Sequence, residues 1–202
     1  TAAVYGKPQY TPIDESHPTN PISPYGKSKL MVEQILKDFK SAYGLEYISF
    51  RYFNAAGHDL EGELTERHDP ETHLLPIIIQ TVNGQRESVS IFGVDYDTKD
   101  GTCVRDYIHV EDIASAHLKG LEYLRSGNSS VTEFNLGNGS GYSVQEIINI
   151  TKDLSRKEFK VIQKGRREGD PSILVASGTR AKKELSINLE FPDIEDIIKT
   201  LL

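Results

Sequence analysis

The chain has one cysteine, Cys103, so it cannot close an internal disulfide, and with no secretory leader at its start a reducing, cytoplasmic setting is expected. No apolar run approaches the roughly 20 residues that a membrane span needs, and no membrane partner is expected. Cations are in deficit: 23 Lys and Arg stand against 30 Asp and Glu, a net charge of −7. That balance gives no electrostatic footprint for nucleic acid, so any anion must be bound by a local cluster. The histidines, His17, His58, His68, His73, His109 and His117, show no HExxH or similar ligand spacing, and no metal is expected. Internal repeats, low-complexity tracts and heptads are absent. What remains is 202 residues with 37% hydrophobic and 26% charged content, enough for a sizeable core and nothing that reads as disordered.

The most informative local feature is Tyr25-Gly26-Lys27-Ser28-Lys29, entered through Ser23-Pro24. Ser23 suits an N-cap, Pro24 the first helical position and Gly44 a C-terminal stop, so a helix is predicted between them, with an apolar stripe of Met31, Ile35, Phe39 and Tyr43. On such a helix Tyr25 and Lys29 share a face one turn apart. A cation beside a phenol favours its ionised form, which makes Tyr25 a candidate general base.

Alternating elements follow. Leu45–Phe53 reads as a strand ending at Asn54, His58–Thr72 as a loop, His73–Val82 as a helix and Ser88–Phe92 as a strand closed by Gly93. Thr102–Ile108 predicts another strand, with Glu111 and Asp112 opening a helix to about Arg125. Thr132–Leu136 is a further strand, and Ser143-Val144-Gln145-Glu146 is a capping box that starts a helix to about Leu154. Gly137, Gly139 and Gly141 lack the third glycine of a GxGxxG loop and read as a plain turn. Cys103 reads as a small buried apolar residue.

Taken in order, Thr1-Ala2-Ala3-Val4-Tyr5-Gly6, the Tyr25 and Lys29 pair, Arg51-Tyr52-Phe53-Asn54, Val104-Arg105-Asp106-Tyr107-Ile108-His109-Val110 and Gly165-Arg166-Arg167-Glu168-Gly169-Asp170 resemble the extended short-chain dehydrogenase/reductase family, and most closely its UDP-glucose 4-epimerases. The resemblance runs along nearly the whole chain. It implies an α/β fold: the C-terminal portion of an extended Rossmann domain with a doubly wound parallel sheet, and a smaller α/β substrate-binding domain. Residues 1–56 and 107–137 would belong to the NAD-binding part, and 57–106 and 138–202 to the UDP-sugar part. The glycine-rich phosphate loop of a dinucleotide fold would lie in roughly a hundred further residues ahead of Thr1. The chain is therefore expected to be a fragment, cut at both ends, that alone binds NAD poorly and turns over little.

Roles are carried over by the same resemblance. Tyr25 would take the proton from the sugar 4-hydroxyl while hydride leaves C4 for NAD. Lys29 would assist Tyr25 and hold the nicotinamide ribose, with Phe53 beside the ring. Thr1, on what is expected to be a strand segment, would hydrogen-bond the same sugar oxygen. Asn54 would reach the sugar and diphosphate, and Arg105 and Arg167 the diphosphate, because guanidinium donors match phosphate oxygens. Asp170 would accept from the uridine ribose and Tyr107 would lie near the ribose or phosphates. Phe92, in the segment that begins with Ser90, would wall the uracil. His73, where the family usually has Asn, and Leu74 would add contacts, and Leu174 would lie beside the sugar's 2-substituent. The implied reaction interconverts UDP-glucose and UDP-galactose through a 4-keto sugar in a homodimeric enzyme of galactose metabolism. Two alternatives stay open. A nucleotide-sugar dehydratase is disfavoured, because the Asp-Glu pair that follows the threonine in that group is Ala2-Ala3 here and cannot move a proton. A non-catalytic nucleotide-sugar binding protein would have no need of Thr1, Tyr25 and Lys29 together.

Overall fold

Helix α1 spans Pro24–Tyr43 in the computed structural model, which describes residues 1–202. Its ends follow the local chemistry: the Ser23 hydroxyl accepts from the Gly26 amide at 3.0 Å, Pro24 occupies the first turn, and Gly44 closes the helix at φ 70°. The inward side carries Gly26, Leu30 and Glu33. The stripe of Met31, Ile35, Phe39 and Tyr43 faces solvent, each side chain about half exposed or more. Periodicity locates an apolar face but does not say what covers it.

The expected strand at Leu45–Phe53 is shorter and changes partner. Strand β1, Ser49–Tyr52, runs parallel to β5, Glu133–Leu136, in register Ser49 with Glu133. The Phe53 amide then donates to the Leu136 carbonyl at 3.0 Å, and the next residues, β2 at Asn54–Ala56, pair in parallel with β4, Val104–His109. This jump opens a gap between sheets at the C-terminal end of β1, where open α/β sheets present ligand sites. Thr1–Gly6, expected as strand, instead forms a short 3-10 helix at Ala2–Val4 with Thr1 as its N-cap. The Thr1 hydroxyl oxygen accepts from the Ala3 amide, and so favours a turn over an extended strand.

Helix α2, Leu74–Val82, and strand β3, Ser88–Phe92, follow the loop, and α3, Val110–Arg125, leads from β4 back to β5. Short β6, Gly141–Ser143, pairs antiparallel with β4 and enters α4, Val144–Ser155, through the reciprocal Ser143 and Glu146 capping box. Strand β7, Lys160–Lys164, pairs in parallel with β3, and β8, Ile173–Leu174, with β4. Two short helices, α5 at Thr179–Leu185 and α6 at Ile194–Lys199, close the order.

Apolar burial divides the chain into two principal cores. One joins α2, β3, α4 and α6 through residues such as Ile78, Ile91, Ile148 and Ile197, all at or near zero exposure. The other joins β5 and α3 to α5 through Phe134, Ala116, Ala181, Leu185 and Ile187. Residues 181–187 thus pack with α3 and β5. A smaller cluster of Val4, Tyr5, Ile13, Phe53 and Ala176 lies under the 3-10 helix.

Asp106, on β4, joins three segments. Its carboxylate, at zero exposure, accepts from the amides of Asn138 at 2.7 Å, Gly139 at 3.0 Å and Ala176 at 2.9 Å. Burial pushes this carboxyl up from 3.8 to about 6 against the pull of the three donors. The folded state therefore holds more protons than the unfolded one between these values, so the stability this group contributes is greatest below about 4 and falls as pH rises to about 6. Urea unfolding across that range is expected to show a decline of at most about 3 kcal/mol from this group, and Asp106→Asn is expected to remove that part of the slope.

Candidate active site

A cleft of about 660 Å³ lies in the gap left by the strand switch. At one end stand Thr1, at the N-cap of the 3-10 helix, and Tyr25, in the first turn of α1, with Phe53 and Asn54 from the β1-to-β2 crossing. Tyr25 is 56% exposed, so its hydroxyl is open to a ligand. The Lys29 ammonium sits 5.6 Å from the centre of the Tyr25 ring, the proximity that the helical spacing requires, although Lys29 is not itself part of the cleft wall. Because Thr1 Oγ1 accepts from the Ala3 amide at 3.3 Å, its own proton remains free to donate.

Gly26 explains how Tyr25 comes so close to the Thr1 turn. A Cβ at that position would lie 2.4 Å from the Ala3 carbonyl oxygen and 2.9 Å from Pro21 Cβ. Only hydrogen fits there, so the helix start rests directly on the backbone of the turn. Deeper in the same packing, Arg51 from β1 donates through Nε at 3.0 Å and Nη2 at 2.7 Å to the two oxygens of Glu33 on α1. Its Nη1 donates to the Tyr5 hydroxyl at 2.9 Å, and that hydroxyl donates to Asn135 Oδ1 on β5 at 2.6 Å. All four side chains are at least 90% buried.

The far end of the cleft holds the cations. Arg105 forms an ion pair with Asp170 and donates to the Val104 carbonyl at 2.7 Å. The Arg167 guanidinium lies 3.7 Å from the centre of the Phe92 ring, with Lys164 at 5.6 Å from it, so Phe92 is held by cations rather than in an apolar core. Ser88, Ser90 and Phe92 alternate along β3 and present one face to the cleft, as Cys103, Arg105 and Tyr107 do along the β4 segment. Burial pushes the Tyr107 hydroxyl and the Cys103 thiol up, and Cys103 Sγ approaches Asp170 Oδ2 at 3.8 Å. His73 and Leu74 lie at the N-terminus of α2 on the rim.

The cleft thus brings together Thr1, Tyr25, Phe53, Asn54, His73, Leu74, Ser90, Phe92, Arg105, Tyr107, Arg167 and Asp170. Leu174 is outside it, on β8 in register with Arg105. Cys103, expected only as a buried apolar residue, is buried and also lines the wall; its period-two relation to Arg105 and Tyr107 was the available signal. Glu66 and Glu71 also line the rim, in a loop with no regular period from which to predict their direction. Together with His68 and His73 they form a cluster that no standard ligand spacing marks.

Comparisons with known proteins agree with this geometry. Residues 1–137 match the model of the NAD dependent epimerase/dehydratase family. A UDP-glucose 4-epimerase of Halalkalibacterium halodurans is 47% identical over 199 residues, covering 98% of this chain and 59% of its own length. The structure of a UDP-glucose 4-epimerase from Brucella ovis in complex with NAD superposes with a TM-score of 0.93 at 43% identity, over 98% of this chain and 61% of that one. One from Bifidobacterium longum, in complex with NAD+ and UDP, gives a TM-score of 0.93 at 38% identity, over 100% of this chain and 60% of that one. The chain belongs to the NAD-dependent epimerase/dehydratase family, with the α/β fold of the UDP-glucose 4-epimerase structures it resembles. It spans about 60% of the length of these relatives.

The contact at Gly26 yields a direct test. Gly26→Ala is expected to push α1 off the Thr1 turn and to destabilise the fold by about 1–3 kcal/mol, read as a lower urea midpoint. Ser28→Ala, at an exposed position two residues on, is expected to leave it nearly unchanged.

Proposed function

We propose that this chain carries the proton-transfer and sugar-nucleotide part of a UDP-glucose 4-epimerase, acting with NAD on the C4 position of UDP-glucose and UDP-galactose. The observation that carries the reading is one cleft with an exposed phenol and a free hydroxyl at one end, an ammonium just behind that phenol, and an aromatic ring stacked by guanidinium at the other end. The residues present fit the nicotinamide-ribose end of the cofactor: exposed Tyr25 lines the cleft with Phe53, and the Lys29 ammonium lies 5.6 Å from the centre of the Tyr25 ring, just outside the wall. Bound NAD supplies reversible hydride acceptance at the sugar C4. Tyr25 takes the proton of the C4 hydroxyl and returns it, Lys29 favours the phenolate by charge, and Thr1 donates to the same oxygen.

At the other end Arg167 and Arg105 bind the diphosphate by charge-assisted hydrogen bonds, and Phe92 offers a face for uracil. Asp170 is paired with Arg105; phosphate oxygens taking up Arg105 donors would leave the carboxylate free to accept from ribose hydroxyls. The grip falls on the nucleotide and leaves the hexose few polar anchors, which suits a sugar that must present both faces. Ala2 and Ala3 place no acid beside Thr1, which favours epimerisation over loss of water. The free thiol of Cys103 accords with a cytoplasmic setting, and the work proposed for the enzyme is galactose metabolism.

The exposed stripe of Met31, Ile35, Phe39 and Tyr43 on α1 supports association of two copies as a homodimer. Phe39→Asp is expected to shift the full-gene-length protein from dimer to monomer in sedimentation velocity; an unchanged dimer would remove α1 from the interface. For the reaction itself, Tyr25→Phe in that protein is expected to lower UDP-galactose epimerisation by at least about 100-fold while UDP binding is kept. Arg167→Ala is expected to weaken UDP binding by roughly 10-fold or more in calorimetry. Retained turnover in the Tyr25 variant would end the assignment.

A further inference from the structure

Four side chains on the rim of the cleft converge on one point. His68 Nδ1 lies 3.3 Å from both Glu66 Oε1 and Glu71 Oε2, and His73 Nδ1 lies 3.0 Å from both Glu66 Oε1 and Glu71 Oε1. The four candidate ligand atoms all fall within 4.8 Å of one another. We propose that Glu66, His68, Glu71 and His73 form a binding site for a divalent transition-metal ion of the zinc class.

Three features support this beyond proximity. Tetrahedral zinc bonds of about 2.0–2.1 Å place neighbouring ligand atoms roughly 3.3 Å apart, which is the distance of His68 Nδ1 from both Glu66 Oε1 and Glu71 Oε2, while the remaining separations fall within 4.8 Å. The donor set is two imidazoles and two carboxylates, which favours zinc, cobalt or nickel over magnesium or calcium, and the two carboxylates neutralise a divalent charge. Glu71 is also held in place: its side chain is 3% exposed, and Oε1 accepts from the amides of Thr72 at 2.7 Å and His73 at 2.8 Å, which leaves Oε2, beside His68, as the ligand oxygen. Such support around a ligand carboxylate fixes its direction before an ion arrives. His68 and His73 are each about half exposed, which leaves an entry path.

The ligands span only residues 66–73, the segment that enters α2 and presents His73 and Leu74 to the cleft. An ion here would clasp that segment at the rim as a structural clamp, without touching the reacting centre. The proposal does not rest on the epimerase reading, and its readout is metal binding rather than turnover.

The test is titration of the metal-free protein with Co2+ and with Zn2+. The expected result is one ion per chain, intense visible absorption of tetrahedral Co2+, and bleaching of that absorption by equimolar Zn2+. His68→Ala is expected to weaken Zn2+ binding by about 100-fold and Glu66→Gln by about 10-fold, magnitudes typical of disturbing a metal's inner or supporting shell. Both residues lie on the exposed loop, and unchanged circular dichroism would show that each variant still folds. His117→Ala, on the opposite core, is the control for adventitious binding to surface histidine and is expected to bind Zn2+ normally. Only the weak absorption of six-coordinate Co2+, binding confined to millimolar Zn2+, or full binding by His68→Ala would each overturn the site.

Discussion

The buried Arg51 guanidinium is the contact on which the geometry at the Thr1 and Tyr25 end of the cleft depends. It couples β1 to α1 through a two-pronged bond to Glu33, and to the 3-10 helix and β5 through the Tyr5 hydroxyl and Asn135. Four segments distant in sequence are therefore fixed around one charge. A buried pair of this kind adds little net stability over a well-packed apolar pair, but removing one partner strands the other and costs roughly 3–5 kcal/mol. Its value here is directional: planar forks admit one arrangement, and that arrangement sets Tyr25 beside Thr1. Gly26 makes the complementary demand by excluding any side chain between the helix and the turn.

The same economy of charge governs the opposite end of the cleft. A chain of net charge −7 attracts no anion at long range, so the anion-binding groups must be concentrated and held. Arg105 is steadied by Asp170 and by the Val104 carbonyl, and Arg167 by the face of Phe92. In the proposed role, each partner is one that phosphate or a base would replace or extend. The cations are thus ordered before binding and remain exchangeable, which limits the entropy lost when a ligand arrives.

Much of this was legible in the residues. Ser23, Pro24 and Gly44 announce the bounds of α1, Ser143 and Glu146 the start of α4, and Ser88–Phe92 reads directly as β3. The site residues were placed by resemblance more than by periodicity, and the cleft gathers all but Lys29 and Leu174 in its lining. What escaped has physical reasons. The turn at Ala2–Val4 is set by one local hydroxyl bond, which competes with the strand that its apolar residues would otherwise favour. The outward stripe on α1 cannot be told from a core face by sequence period. The convergence of Glu66, His68, Glu71 and His73 is made by the path of an irregular loop, for which sequence offers no repeat to read.

The interleaving of the two cores has a consequence for how such a protein can be taken apart. The path enters the α2 and β3 core at Ala56, crosses on β4 between Tyr107 and Ile108 into the α3 and β5 core, returns at Ile147, passes Ala176 of the small cluster on the way to α5, and re-enters the first core with α6. No single scission releases either core whole.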